Sequence, residues 1–309
     1  MTPLTRLHQI LRGLGSLVVL GLGVGCTQRD PLGPEQLSIV DLGAVSELAR
    51  PIWFGRSPEL LVRTGSGSSR TLVARQVPTG TTRDIVTLGS TTLPYSVDYR
   101  RNVLICTTLL GPEHARVTEL RLDGTVAGEY VGPSDATDFL GVISPDGTRL
   151  AFVRDVGTAD RYQVCWRPAG DYGGPVALVI DVGSGSSPLQ LSWLGNDRLL
   201  ANFEDVDDSE RTTRTGYVNG GAGEFWALAD AFVSSTPDGR WVTGVEGPLT
   251  AGRLFIQRID GTGRTIIDTS GDAAIFPEWS PDGQAIAFLA INLTTRETRL
   301  KVALLPPLQ

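Results

Sequence analysis

The sequence predicts an all-β fold, and three observations carry the prediction. A proline-glycine turn motif returns at an almost even interval, each copy leads into a short apolar run, and no stretch shows a helical period of apolar residues. The cleanest copies are Ser144-Pro145-Asp146-Gly147, Thr236-Pro237-Asp238-Gly239 and Ser280-Pro281-Asp282-Gly283. Degraded copies at Trp53 to Arg56, Val97 to Arg100 and Trp193 to Asn196 fit the same frame. Taking the second turn position as the marker gives Gly55, Tyr99, Pro145, Gly195, Pro237 and Pro281, spaced 44, 46, 50, 42 and 44 residues apart. Six repeats of this length, each holding four short strands, predict a six-bladed β-propeller.

Proline presets φ at the second turn position, aspartate bonds to nearby backbone, and glycine accepts positive φ, so each motif joins the first two antiparallel strands of a blade. About 20 residues later come Asp-Gly pairs, Asp123-Gly124 and Asp260-Gly261, which are hairpin signals joining the third and fourth strands. The second repeat parses as Leu93 to Val97, Asn102 to Leu109, Arg116 to Leu122 and Val126 to Val131. The fifth parses as Ala231 to Ser235, Trp241 to Val245, Arg253 to Ile259 and Arg264 to Asp268. After the sixth turn only two strands remain, Ala285 to Ala290 and Arg299 to Leu305, while Leu37 to Leu42 is a strand without a repeat. Pairing Leu37 to Leu42 with the C-terminal strand completes the sixth blade and closes the ring.

These residues resemble the WD40-like repeats called PD40, which build the six-bladed propeller of TolB-type proteins. The turn followed by Leu150-Ala151-Phe152-Val153, and Leu254-Phe255-Ile256 leading to Asp260-Gly261, carry the resemblance, which extends over residues 37–305. It implies a fold more than a function, because one propeller hosts many roles. TolB-type proteins carry an α/β domain before the propeller, whereas only a ten-residue tether separates Cys26 from the first strand here, so their cellular role is not carried over.

The N-terminus has its own character. Arg6 and Arg12 give a basic start, Leu14 to Val24 is apolar, and small residues lead into Cys26, which together describe an export signal. Gly23-Val24-Gly25-Cys26 resembles a lipobox in which Leu22 stands one place early, so Cys26 is the expected lipidation site. The expected organisation is a signal over 1–25, a lipidated cysteine and flexible tether over 26–36, and the propeller over 37–309. Thr27, which is not aspartate, directs the expectation to the outer membrane of a bacterial cell envelope. Loss of residues 1–25 removes two arginines and no acid, moving the formal net charge from −7 to −9. An acidic body disfavours nucleic acid as a partner.

Candidate chemistry is sparse. His8 lies in the signal, which leaves His114 as the one histidine of the body, in a polar loop, and no nucleophile elbow accompanies it. The acidic run Glu204 to Glu210 offers Asp205, Asp207 and Asp208 as hard oxygen ligands for calcium, set against a solvated hairpin tip. Inner strands of propeller blades line the central channel, so Asp98, Asp138, Asp230 and Glu278 are candidates for a shared channel site that takes a cation or a basic peptide. Trp53, Trp193 and Trp279 recur just before the turn, which assigns them to packing between blades. Cys106 and Cys165 fall in strand-like runs and are expected as buried free thiols.

The expected function is binding: an envelope-anchored propeller lipoprotein that holds a protein or peptide, without a cofactor and without enzymatic activity. The alternatives are a calcium-assisted, lactonase-like propeller hydrolase and a sensor of a small ligand in the channel.

Overall fold

The computed structural model describes residues 37–308 apart from short segments at 56–57, 66–67, 112–113, 134–135, 158–160, 184, 206–210, 221, 227–229, 249–250 and 307. Among the described residues every regular element is a strand, and no helix is long and apolar enough to cross a membrane.

Within the described residues, twenty-four strands form six four-stranded antiparallel sheets. Strand β1 (Ser38–Ala44) stands apart in sequence. Blade 1 holds β2 (Ile52–Phe54), β3 (Glu59–Thr64), β4 (Ser69–Gln76) and β5 (Thr82–Gly89). Blade 2 holds β6 (Thr92–Asp98), β7 (Val103–Leu109), β8 (Ala115–Arg121) and β9 (Val126–Glu129). Blade 3 holds β10 (Thr137–Ile143), β11 (Arg149–Asp155), β12 (Tyr162–Pro168) and β13 (Ala177–Gly183). Blade 4 holds β14 (Ser186–Leu194), β15 (Arg198–Asp205), β16 (Arg211–Tyr217) and β17 (Ala222–Trp226). Blade 5 holds β18 (Asp230–Ser235), β19 (Trp241–Glu246), β20 (Arg253–Arg258) and β21 (Thr265–Ile267). Blade 6 holds β22 (Ala273–Trp279), β23 (Ala285–Ile291) and β24 (Thr298–Leu304).

The ring closes as the sequence predicts. β1 pairs antiparallel with β24, Ser38 opposite Leu304 and Asp41 opposite Lys301, and supplies the outer strand of blade 6. Its hold extends to the next blade, where the Arg75 guanidinium donates to the carbonyl of Leu42 at 2.9 Å. The edge of β24 is thereby covered, and the two ends of the chain are bonded in one sheet.

The turn motif builds itself from its own side chains. In the third blade Ser144 Oγ donates to Asp146 Oδ1 at 2.6 Å and accepts from Arg149 N, while Asp146 Oδ1 also accepts from Thr148 N. Thr236 with Asp238, and Ser280 with Asp282, repeat the arrangement. The glycines Gly147, Gly239 and Gly283 lie at φ of 70°, 69° and 69°, a region that L side chains rarely adopt.

From blade 3 to blade 6 the inner strand packs against the second and third strands of the preceding blade. Leu60, Leu104, Leu150, Leu199, Val242 and Ile286, near the start of each second strand, are all buried. Cys106 and Cys165 are buried and unbridged, and burial pushes both thiols up, Cys165 to about 12.

Candidate functional site: a plugged channel open on one face

Each inner strand carries a recurring register, and the site is assembled from it. The residue just before the turn is Trp53, Val97, Ile143, Trp193, Ser235 or Trp279. At this level a hydrogen bond crosses every junction between blades. Trp53 Nε1 donates to the Glu278 carbonyl at 3.0 Å, and Tyr99 Oη donates to the Trp53 carbonyl at 2.6 Å. Ile143 N donates to Ser96 Oγ, and Trp193 Nε1 donates to the Val142 carbonyl at 3.0 Å. Ser235 Oγ donates to the Trp193 carbonyl at 2.6 Å, and Trp279 N donates to Ser234 Oγ at 3.4 Å. The three tryptophans are buried between blades, as their recurrence predicts.

Three residues earlier the register holds Arg50, Pro94, Leu140, Gln190, Phe232 and Phe276. In blades 2 to 6 the pairing with the second strand slips here into a β-bulge. Leu140, Phe232 and Phe276 take positive φ, between 52° and 54°. The bulge frees a backbone N–H, and the preceding blade meets it: Leu140 N donates to Thr107 Oγ1 and Phe232 N to Asn202 Oδ1. The side chains of this column fill the middle of the ring. Phe232 and Phe276 meet at 4.4 Å between ring centres with their planes tilted by 59°, and all but Arg50 are buried.

The polar members, Arg50 and Gln190, come from opposite blades and converge on Glu278. Arg50 Nε pairs with Glu278 Oε1, and Gln190 Nε2 donates to the same oxygen at 2.9 Å. Arg50 Nη1 reaches the carbonyl of Leu191 in blade 4 at 3.1 Å. Side-chain exposures of 11 % for Arg50 and 13 % for Glu278 place this pair at the edge of the interior. Burial raises the Glu278 carboxyl above its usual range, and the Arg50 charge and the Ser234 hydroxyl temper the rise.

Above this plug, on the face that bears the turns, opens a cavity of about 1170 Å³. Its wall includes Trp53, Tyr95, Tyr99, Trp193 and Trp279, the hydroxyls of Ser96, Ser192, Ser234 and Ser235, and the turn prolines Pro145, Pro237 and Pro281. Arg50 and Glu278 form part of the floor, and Arg100 and Asp282 stand at the rim. Burial pushes the Tyr95 phenol up to about 12, against the nearby Arg63 and Arg50 charges.

The four carboxylates expected to share a channel site do not meet. Asp98 and Glu278 lie at the turn end of β6 and β22, whereas Asp138 and Asp230 lie at the starts of β10 and β18. Counted back from the second turn residue, Asp98 stands at one, Glu278 at three and Asp138 and Asp230 at seven, so four to six residues at ~3.3 Å each, roughly 13–20 Å, separate the two levels. Asp98 accepts from Arg100 N and Arg101 N and pairs with Arg101 at 2.6 Å, which makes it part of a turn. Asp138 is held by a two-pronged bond to Arg154 at 2.7 and 2.8 Å. Asp230 opposes Glu246 across β18 and β19. Of the four, Asp98 and Glu278 line the cavity, and Glu278 is the one paired with Arg50 there. Asp205 ends β15, and Asp207 and Asp208 lie outside the described residues. Among the described residues no three His, Cys, Asp or Glu side chains gather as a metal site. Cys26 also lies outside the described residues.

Arg50, Gln190 and the plug column escape a reading of the sequence by charge or motif. Their signal is positional: counting back five from the second turn residue in each repeat gives the column directly.

The fold and the site define a six-bladed β-propeller whose channel is plugged in its middle and open on the turn face. No known family profile matches the chain, and no curated protein matches it by sequence. Solved structures do resemble it. A putative TolB from Agrobacterium tumefaciens superposes with a TM-score of 0.58 at 17 % identity, over 77 % of this chain and 85 % of that one. A gluconolactonase from Xanthomonas campestris gives 0.58 at 15 % identity, over 87 % and 90 %. An oligogalacturonate lyase in complex with manganese gives 0.55 at 13 % identity, over 91 % and 96 %. These likenesses show the fold alone. The chain is TolB-like in architecture, as the resemblance implies, although the PD40 repeat family finds no match. They also correct the expectation that the chain is no enzyme: a lactonase and a lyase are among the proteins built on this architecture, so the missing catalytic motif is no ground for excluding catalysis.

Proposed function

We propose that the protein is an envelope-anchored binding scaffold, lipidated at Cys26, whose turn-face mouth receives a peptide segment of another envelope protein. The observation that carries this reading is the mouth itself. Its volume of about 1170 Å³ lies above the range of ~300–1000 Å³ usual for small-molecule sites. Its wall alternates aromatic rings with hydroxyls, the mixture that a peptide needs for its side chains and its backbone amides. The six hydrogen bonds between blades and the plug hold that wall in place before a ligand arrives, which lowers the ordering cost of binding. The tether of residues 27–36 would keep the start of β1, at the outer edge of blade 6, within ~35 Å of the lipid surface.

The test is a photo-crosslinking amino acid placed at Arg100 or Gln284, both on the mouth, and at Leu110, in the hairpin at the opposite end of blade 2. In the intact envelope the two mouth positions are expected to capture one protein through one segment, and Leu110 is not. Capture from Leu110 with none from the mouth would refute the assignment of the binding face. Separately, Cys26→Ser is expected to abolish acyl labelling and release the protein from membranes; persistent labelling would remove the anchor from the proposal.

A further inference from the structure

We propose that the floor of the mouth recognises a carboxylate of the bound peptide through the outer edge of the Arg50 guanidinium. This rests on the peptide-binding reading and adds the chemistry by which the peptide is read. A guanidinium carries five N–H donors in a planar fork. Arg50 spends Nε on Glu278 and one Nη1 hydrogen on the Leu191 carbonyl. Its Nη2 finds no acceptor among the described residues, and it is not among the polar atoms sealed away without a partner. Arg50 is also part of the cavity wall. A fixed, charged, planar group of the cavity wall therefore keeps three unspent donors, two of them on Nη2, and a carboxylate is the planar acceptor that fits such a fork.

The carboxylates of the wall are each engaged in bonds of their own. Asp98 is consumed by Arg101 and its own turn. Asp282 accepts from Ser280 Oγ and Gln284 N within its turn. Glu278 is occupied by Arg50, Gln190 and Ser234. Arg100, at the rim, forms no ion pair among the described residues and adds a second positive charge on the approach. Gln190 Oε1 is an acceptor without a partner among the described residues, but Gln190 is not part of the cavity wall. The guanidinium is also held rigid, because the backbone of blade 4 and the carboxylate of blade 6 fix its orientation from two separate blades.

A reporter is built in. Trp53 and Trp193 give their indole N–H to the preceding blade, whereas the buried indole N–H of Trp279, another residue of the cavity wall, has no partner among the described residues, so its resonance reports a change in the ring's surroundings. The experiment uses the full-length chain, ¹⁵N-labelled, with the Trp279 indole signal assigned by Trp279→Phe. Three probes are titrated: acetyl-trialanine as the free acid, the same peptide as the C-terminal amide, and acetyl-Ala-Asp-Ala-amide. The expected result is a saturable shift with at least one of the two carboxylate peptides and none with the uncharged amide. Which acid binds tighter tells a chain-terminal carboxylate from a side-chain one. An equal shift with the amide overturns the carboxylate proposal and leaves the peptide-binding mouth standing; no shift with any probe overturns both. Arg50→Gln is expected to weaken the acid by about tenfold or more. Because that variant strands Glu278, the double variant Arg50→Gln/Glu278→Gln is titrated alongside, and unchanged acid affinity in either folded variant also refutes the proposal.

Discussion

Arg50 Nη1 donates to the carbonyl of Leu191 at 3.1 Å, although blade 1 and blade 4 stand opposite one another in the ring of six. A propeller is ordinarily held by contacts between neighbours, each blade touching two others. Here one side chain adds a strut across the diameter, and its Nε end is pinned by Glu278 of a third blade. The middle of the ring is thus cross-braced at the level where the binding cavity ends.

That bracing predicts an asymmetric response to mutation. Arg50→Met should lower stability by about 3–5 kcal/mol in urea unfolding, because it leaves the Glu278 carboxylate largely buried and unpaired. Arg50→Met/Glu278→Leu should recover a large part of that loss, since a well-packed apolar pair needs no charge partner. A double variant less stable than the single would show that the pair contributes more than its own compensation.

Most of the architecture was legible in the sequence, and the reason is local. Each Ser-Pro-Asp-Gly turn is satisfied by its own hydroxyl and carboxylate, so four consecutive residues specify it without help from the fold. The closing strand was legible by subtraction, as one strand too many at one end and one too few at the other. The plug was not, because Leu140, Phe232 and Phe276 sit at bulges with positive φ, which no hydropathy pattern encodes. The carboxylate ring failed for a related reason. Asp98 and Asp138 share the label of inner strand yet stand at its two ends, and each has an arginine partner that only the folded chain brings near.

The closing strand should be required for the ring. Deleting residues 37–44 strips the outer edge of β24 and the partner of Arg75. The melting temperature is expected to fall by ~10 °C or more, the effect of about 4 kcal/mol in a domain of this size. A change of ~2 °C or less by differential scanning calorimetry would show that β24 tolerates an open edge.

The turn glycines should differ in cost although their backbones are alike. At Gly283 an added Cβ meets its nearest atom at 3.7 Å, so Gly283→Ala should cost only the left-handed backbone penalty of ~1–2 kcal/mol. At Gly239 the same Cβ lies 3.2 Å from the backbone nitrogen of Gly195, which cannot move aside as a side chain can. Gly239→Ala should therefore be the more damaging of the two, measured as the shift of the urea midpoint at constant slope. Equal losses would mean that the turn of blade 4 yields to its neighbour.

Acid should loosen the turns before it reaches the core. Partial burial works to raise the Asp146 carboxyl, but bonds from Ser144 and Thr148 outweigh it and hold the group below the usual aspartate range. At Asp238 burial is likewise outweighed by bonds from Thr236 and Arg240. A carboxyl depressed in the folded state contributes its stability fully above the unfolded pKa and loses it as pH falls through the folded one. Stability should thus be level from neutral pH down to about pH 5 in this respect, then decline below about pH 4. Asp238→Asn should flatten part of that decline while lowering the plateau, because the amide carbonyl still accepts a bond but no longer carries charge. Urea midpoints measured between pH 7 and pH 3 for both proteins decide it: parallel curves would mean that Asp238 titrates in the folded chain as it does in the unfolded one.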